Sequence, residues 1–212
     1  MKISKYNDIL ENITSNIEEE VFNPHERVVI IDGLNLFFRN FAVMNTININ
    51  GSHIGGMGGF IRSLIFLINK INPTSVYMTF DGEGSTTNRK NLNADYKAGR
   101  HLNRITNWDI FENVEEENDS KIDQITRLIQ YLKCLPIKII SMDKMEADDV
   151  IAYSGDILSN EHNSQVFIVS NDKDFLQLIN DKITVFRPTE KIFYDRKMVM
   201  EKFGMLAENF IH

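Results

Sequence analysis

An α/β domain with a mainly parallel central sheet and helices on both faces is the fold that this sequence predicts. Three observations carry the prediction. Short β-branched runs recur along the chain, helical apolar patterns fill the intervals between them, and a carboxylate follows closely after each of the first four runs. Strands alternating with helices imply parallel pairing through right-handed crossovers.

The elements follow in chain order. Residues 1–26 form a polar leader in which Tyr6, Ile9, Leu10, Ile13 and Ile17 fall at helical spacing, so one amphipathic helix packed on the domain is expected there. The body spans 27–204. Val28 to Ile31 is a continuous β-branched run, as a strand buried on both faces requires. Phe60, Ile61, Leu64, Ile65 and Ile68 mark one helix face, and Ser75 to Phe80 reads as the second strand. After a polar interruption, Ile122, Ile125, Leu128, Ile129 and Leu132 mark another helix, opened by a Ser120-x-x-Asp123 capping signal. Ile137 to Ile140 and Val166 to Val169 are the third and fourth strands. Ile183 to Phe186 and Lys191 to Tyr194 read as short strands, and Asp195 to Phe203 as a helix stopped by Gly204.

The bulk numbers set limits. A chain of 212 residues with 42% hydrophobic and 25% charged residues supports one sizeable domain. Cys134 is the only cysteine, so no intramolecular disulfide forms, in keeping with a reducing cytoplasm. The five histidines are scattered and not at zinc-ligand spacing. Phe60 to Ile68, the longest apolar stretch, is broken by Arg62 and Ser63 and is too short to span a bilayer. No basic-then-apolar leader signal opens the chain, so a cytoplasmic location without membrane contact is expected.

Where the acids fall is the most informative feature. Asp32 closes the first strand and Asp81 the second. Glu146-x-Asp148-Asp149 follows the third and Asp172-x-Asp174 the fourth. In a parallel sheet all the strands' carboxyl ends lie along one edge, so these seven side chains converge on the crevice where ligands of open α/β sheets bind. Taken singly, each has a plain structural reading. Asp32 and Asp81 suit turns or caps, Asp172 or Asp174 suits a cap before Phe175, and Glu146, Asp148 and Asp149 complement a helix dipole. Convergence favours a different one. Two like charges ~4 Å apart repel by about 4 kcal/mol at an effective dielectric of ~20. Divalent cations relieve such crowding, and an all-oxygen donor set selects magnesium or manganese. Two ions ~4 Å apart suit phosphodiester cleavage. The net charge of -7 is then the excess acid of a cation site.

The segment from Gly82 to Asp119 breaks the strand–helix rhythm, and a long polar insertion in a compact domain is commonly functional. Its charge is segregated. Arg89, Lys90, Lys97, Arg100 and Arg104 against Asp95 leave a net +4 over 86–106, and six acids follow between Asp109 and Asp119.

These residues resemble a known family. Val29-Ile30-Ile31-Asp32-Gly33-x-Asn35, Phe80-Asp81-Gly82, Tyr96-Lys97-x-x-Arg100, Glu146-Ala147-Asp148-Asp149-x-Ile151-Ala152 and Ser170-Asn171-Asp172-Lys173-Asp174-x-x-Gln177-Leu178 are similar, in order, to the motifs of the 5′-to-3′ exonuclease and flap endonuclease family. That family includes bacteriophage RNase H-type exonucleases and the exonuclease domain of bacterial DNA polymerase I. The resemblance covers about 27–204 and implies a PIN-like 5′ nuclease fold with a helical arch over 83–118. By the same resemblance, Asp32, Asp81, Glu146 and Asp148 hold a first Mg2+ ion, for which Mn2+ can substitute. Asp149, Asp172 and Asp174 lie nearer a second. It also puts Lys97 and Arg100 at the scissile phosphate, Tyr96 on a base and Arg89 in support of the phosphate. Lys90 and Arg104 join them as DNA-binding candidates, and cationic and aromatic residues beside a metal site suit single-stranded nucleic acid. Tyr96 as a packing residue and Arg104 as a solvated charge remain open.

Gly55-Gly56-Met57-Gly58-Gly59 lacks the Lys-Ser/Thr of a nucleotide-binding loop and predicts a helix starting tightly against the sheet or DNA. In the family a helical DNA-binding module follows, with a Gly-Asp-x-x-Asp-Asn stretch that completes the second metal site. Residues 205–212 resemble only its approach. The expectation is a nuclease acting on DNA with single-stranded 5′ ends or flaps, with RNA–DNA hybrids as a further substrate class. A separate C-terminal fragment or replication proteins are expected partners, and weak cutting by this chain alone is expected. Two rivals stand beside it: a non-catalytic DNA-binding replication accessory, and a PIN-type ribonuclease sharing the same crevice. A magnesium-dependent phosphatase is excluded, because Asp32-Gly33-Leu34 lacks its Asp-x-Asp pair.

Overall fold

The computed structural model describes residues 26–85 and 105–210. The amphipathic leader helix and the candidates Arg89, Lys90, Tyr96, Lys97, Arg100 and Arg104 lie outside the described residues. The elements run β1 (Arg27–Asp32), α1 (Gly33–Val43), α2 (Gly55–Ile71), β2 (Ser75–Phe80), α3 (Val114–Leu132), β3 (Lys138–Ser141), α4 (Ala147–Asn160), β4 (Gln165–Val169), β5 (Ile183–Arg187), β6 (Ile192–Tyr194) and α5 (Arg196–Phe203). Short 3-10 helices cover Asp174–Leu178 and Ala207–Asn209.

The six strands order as β3-β2-β1-β4-β5-β6, parallel except for the β5–β6 pair. The predicted mainly parallel sheet is therefore present. Strand order reverses on either side of β1, and that switch point fixes where a crevice opens. Register does the rest. Asp32 pairs with Thr79 of β2 while Ile31 pairs with Val169 of β4, so Ser170 emerges level with Asp32, and Asp81 two residues further along the same edge.

β1 shows why its sequence is apolar throughout. Val29 and Ile31 join one core with Phe37, Phe41, Phe60, Leu64, Leu67 and Leu128, whereas Val28 and Ile30 join the other with Ile151, Ile168, Leu176, Val185 and Tyr194. Successive strand side chains alternate between faces, and here both faces carry helices. Among the described residues no helix is long and apolar enough to cross a membrane.

Three sequence expectations are corrected. The α2 face turned to the core is Phe60, Leu64, Leu67 and Ile71, while Ile65 and Ile68 are exposed; the predicted stripe mixed two faces of an apolar-rich helix. The glycines opening α2 pack against α1 rather than the sheet. A Cβ on Gly55 would stand 1.7 Å from the Met44 carbonyl oxygen, and one on Gly56 would meet the Phe37 ring.

The third concerns α3, which starts at Val114 rather than at Ser120. Asn113 caps it by accepting from the Glu116 N–H at 2.8 Å, and Glu115, Glu116 and Glu117 sit in the first turn, where the helix dipole favours acid. Ile122, placed on its core stripe, is exposed. The insertion accordingly ends before 118, because Phe111 already stacks on Phe41 and the Asn107 amide donates to the Phe41 carbonyl. Glu117, buried, accepts from the Thr106 and Asn107 N–H groups at 2.7 and 2.9 Å and from Lys121. Burial alone would raise its pKa, but those hydrogen bonds outweigh it and hold the carboxyl below the usual range.

At the other end, Gly204 takes the left-handed conformation (φ 68°) that terminates α5, as expected. Beyond it Ala207 is buried in the second core and Phe210 packs on Phe203 at 5.0 Å.

Candidate metal centre

All seven acids singled out in the sequence line one crevice at the carboxyl edge of the sheet, with a cavity volume of about 640 Å3. Each arrives by a different local device. Asp32 ends β1 and caps α1, its Oδ1 accepting from the Asn35 N–H at 3.0 Å. Asp81 follows β2 and reaches across to α4, where its Oδ1 accepts from the Ala147 N–H at 2.8 Å. Glu146 occupies the cap position of α4 without a capping bond of its own, so Asp81 supplies the acceptor that the helix start needs. Asp148 and Asp149 lie in the first turn of α4. Asp172 Oδ1 accepts from the Asp174 N–H at 3.0 Å, opening the 3-10 helix. Several acids are thus caps as well as crevice lining.

Burial and mutual repulsion show in the proton affinities. Asp32 is buried, and lost hydration lifts its pKa to about 6 against the lowering hydrogen bonds from Asn35 and Ser170, with repulsion from Asp81 and Asp172 adding to the rise. Asp148 keeps an exposed edge, yet its carboxyl is crowded at the rim. Lost hydration first, then repulsion from Asp32, Asp172, Asp81 and Glu146, raises it to about 7. Both carboxyls hold their protons to higher pH because burial first, and neighbouring negative charge second, disfavours the ionised forms.

Among the described residues no group of three histidine, cysteine or acidic side chains stands close enough together to hold an ion unaided. The donor chemistry nonetheless fits a hard cation that keeps part of its hydration shell. Magnesium is typically held by one or two carboxylates, with water and phosphate oxygens completing the shell, rather than in a closed protein cage. An open crevice of this volume, whose ionisable lining is all carboxylate, has room for that arrangement.

Part of the lining was not singled out as site residues in the sequence, although Asn35, Gln177 and Leu178 stand in the motifs quoted there. Leu34, Asn35 and Phe38 of α1 line the crevice with Phe175, Gln177 and Leu178. The signal existed: 34, 35 and 38 share the α1 face that starts directly after Asp32. Also missed as a group were Ser170, Asn171, Arg187 and Thr189, whose hydrogen bonds lie behind the acids.

Comparison with known proteins gives the family and the fold type. The profile of the family described as 5′-3′ exonuclease, N-terminal resolvase-like domain, matches residues 27–204. DNA polymerase I of Borreliella burgdorferi is 31% identical over 185 residues, covering 85% of this chain and 19% of that protein. The 5′-3′ exonuclease of Aquifex aeolicus is 30% identical over 177 residues, covering 83% of this chain and 56% of that protein. The chain thus spans between a fifth and three-fifths of the length of these relatives. Among solved structures, the bacteriophage T5 flap endonuclease in complex with DNA and metal ions superposes with a TM-score of 0.65 at 16% identity, over 84% of this chain and 61% of that one. At that identity the likeness establishes the fold: a mostly parallel six-stranded sheet of the flap endonuclease type.

Proposed function

Because this chain belongs to the 5′-3′ exonuclease family through its N-terminal resolvase-like domain, we propose that it is a divalent-cation-dependent nuclease that hydrolyses phosphodiester bonds of DNA at single-stranded 5′ ends or flaps. The observation that carries the reading is the convergence of Asp32, Asp81, Glu146, Asp148, Asp149, Asp172 and Asp174 on one crevice. Relatives named 5′-3′ exonuclease and DNA polymerase I support the reaction class. Solved relatives carrying DNA and metal ions, including zinc, support the cofactor class.

In this reading Asp32, Asp81, Glu146 and Asp148 hold one Mg2+ ion, while Asp149, Asp172 and Asp174 stand nearer a second. When bound, such ions supply Lewis acidity, a water of lowered pKa and a counter-charge for the leaving oxygen. The chain's own residues do the remainder. Asp32 and Asp148, whose proton affinity burial and neighbouring charge raise, must be deprotonated before they can ligate. Apolar Leu34, Phe38, Phe175 and Leu178 line the same crevice and lower the local polarity beside the acids. Lys97 and Arg100 act as the phosphate clamp, Tyr96 stacks on a base, and Arg89, Lys90 and Arg104 hold the single-stranded backbone. Water adds to phosphorus, one P–O bond breaks, and the departing oxygen takes up a proton.

The test is a 5′-labelled flap DNA and a matched RNA strand incubated with the full chain and Mg2+, beside the Asp148→Ala/Asp172→Ala variant. Shortening of the DNA that requires Mg2+ and disappears in the variant is the expected outcome. Calorimetry that finds no magnesium uptake at millimolar concentration overturns the reading. Cutting confined to the RNA strand transfers the chain to the ribonucleases.

A further inference from the structure

Six hydrogen bonds converge on Asn171, the residue between Ser170 and Asp172. Its N–H and its Nδ2 both donate to Asn35 Oδ1 at 3.0 Å, tying it to α1. Its Oδ1 accepts from the Thr189 N–H at 2.8 Å and from the Thr189 hydroxyl at 2.6 Å, tying it to the turn between β5 and β6. Its carbonyl oxygen accepts from Arg187 Nε and Nη2 at 3.3 and 3.1 Å. Thr189 is itself held by Arg39 of α1, whose Nε donates to the hydroxyl at 3.0 Å. Arg187 also pairs with Glu190, which Lys202 of α5 holds in turn.

We infer that Asn171 is a positioning residue: clamped between α1 and the β5–β6 turn, it fixes the Ser170–Asp172 segment and through it the aim of Asp32 and Asp172. This rests on the metal-dependent reading proposed above. Two links carry the position inward. The buried Ser170 hydroxyl donates to Asp32 Oδ2 at 3.1 Å and accepts from the Asp172 N–H at 3.2 Å. Asn35, the clamp's anchor on α1, gives its own N–H to Asp32 Oδ1. Both oxygens of Asp32 are therefore oriented by residues that Asn171 ties together. Asn171, Thr189 and Arg187 do not line the crevice. Their effect passes through others.

The physical need is plain. Clustered carboxylates repel, and a loop segment free to move would swing its acid outward and dilute the charge that draws cations. Residues orienting metal ligands from behind are worth about 10–100-fold in metal affinity or activity when removed.

Calorimetric Mg2+ titration of the full chain and cleavage kinetics on the 5′-labelled flap, run together, test the clamp. Asn171→Ala is expected to weaken Mg2+ affinity and lower kcat by about 10–100-fold, with KM for DNA unchanged. Thr189→Val removes only an exposed hydroxyl and acts in the same direction, more weakly; Thr189→Ser restores wild-type values. Should Asn171→Ala fail to fold by circular dichroism, the Thr189 pair decides. Folded Asn171→Ala and Thr189→Val proteins with wild-type Mg2+ affinity overturn the clamp alone. A wild-type chain that takes up Mg2+ but cuts no DNA overturns the nuclease reading, and the calorimetry still decides the clamp. A wild-type chain that takes up no Mg2+ overturns both.

Discussion

Asp148 and Asp32 carry the clearest consequence at the scale of single residues. Their pKa values stand near 7 and 6, raised from 3.8. Between about pH 4 and about pH 7 the folded chain therefore binds more protons than the unfolded one. By linkage their contribution to stability is present below the unfolded pKa and is lost as pH rises through the folded values. Metal-free protein should show a melting temperature that falls from about pH 5 to about pH 8, with a shallower slope in Asp32→Asn/Asp148→Asn. Metal binding needs the deprotonated ligands, so the gain in melting temperature on adding Mg2+ should grow over the same interval. Asp148→Asn alone should raise the metal-free melting temperature while weakening Mg2+ uptake, since it removes one repelling charge and one ligand together. A metal-free melting temperature that climbs with pH would contradict the crowding argument.

Helix starts decide most at the scale of elements. Gly55 touches the Met44 carbonyl so closely that an added methyl group has no room, whereas a Cβ on Gly58 meets nothing within 4 Å. Gly55→Ala should destabilise by about 1–3 kcal/mol through overpacking, while Gly58→Ala should be neutral or stabilising by up to about 1 kcal/mol. Urea midpoints of the two variants check the contrast. Glu117→Ala strands the N–H groups of Thr106 and Asn107 and should cost about 1–3 kcal/mol. Strand positions were legible from sequence because runs such as Val28 to Ile31 have to be apolar on both faces. Helix boundaries were less so. The start of α3 was hidden because Glu115, Glu116 and Glu117 read as charge in a polar insertion, while their physical role is to complement a helix dipole. The α2 stripe was misjudged because periodicity cannot choose a face when nearly every residue is apolar. Caps such as Asp32 and Asp81 were legible as either structure or site, and in the structure they cap helix starts and also line the crevice.

For the whole molecule, seven acids are gathered at one edge of the sheet, and a basic stretch of net +4 falls in 86–106 of the sequence. A net charge of -7 is thus compatible with a nucleic-acid ligand if cations and the basic stretch meet it first. Lys97→Ala and Arg100→Ala should each weaken DNA binding and reduce the slope of log affinity against log salt by about 1, leaving Mg2+ uptake untouched. What the sequence could not reveal was the bracing behind the acids. Asn171 and Thr189 are eighteen positions apart, and nothing in their types marks them as partners until the sheet brings them together. The junction of β1 with α1 reaches furthest. No residue separates strand from helix there, and Gly33, first in the helix, has the Phe80 ring 2.6 Å from where a side chain would begin. One residue added at that seam would part the Asp32 carboxylate from the Asn35 N–H that it caps. That side of the crevice therefore tolerates no insertion, because one residue both ends the strand and caps the helix.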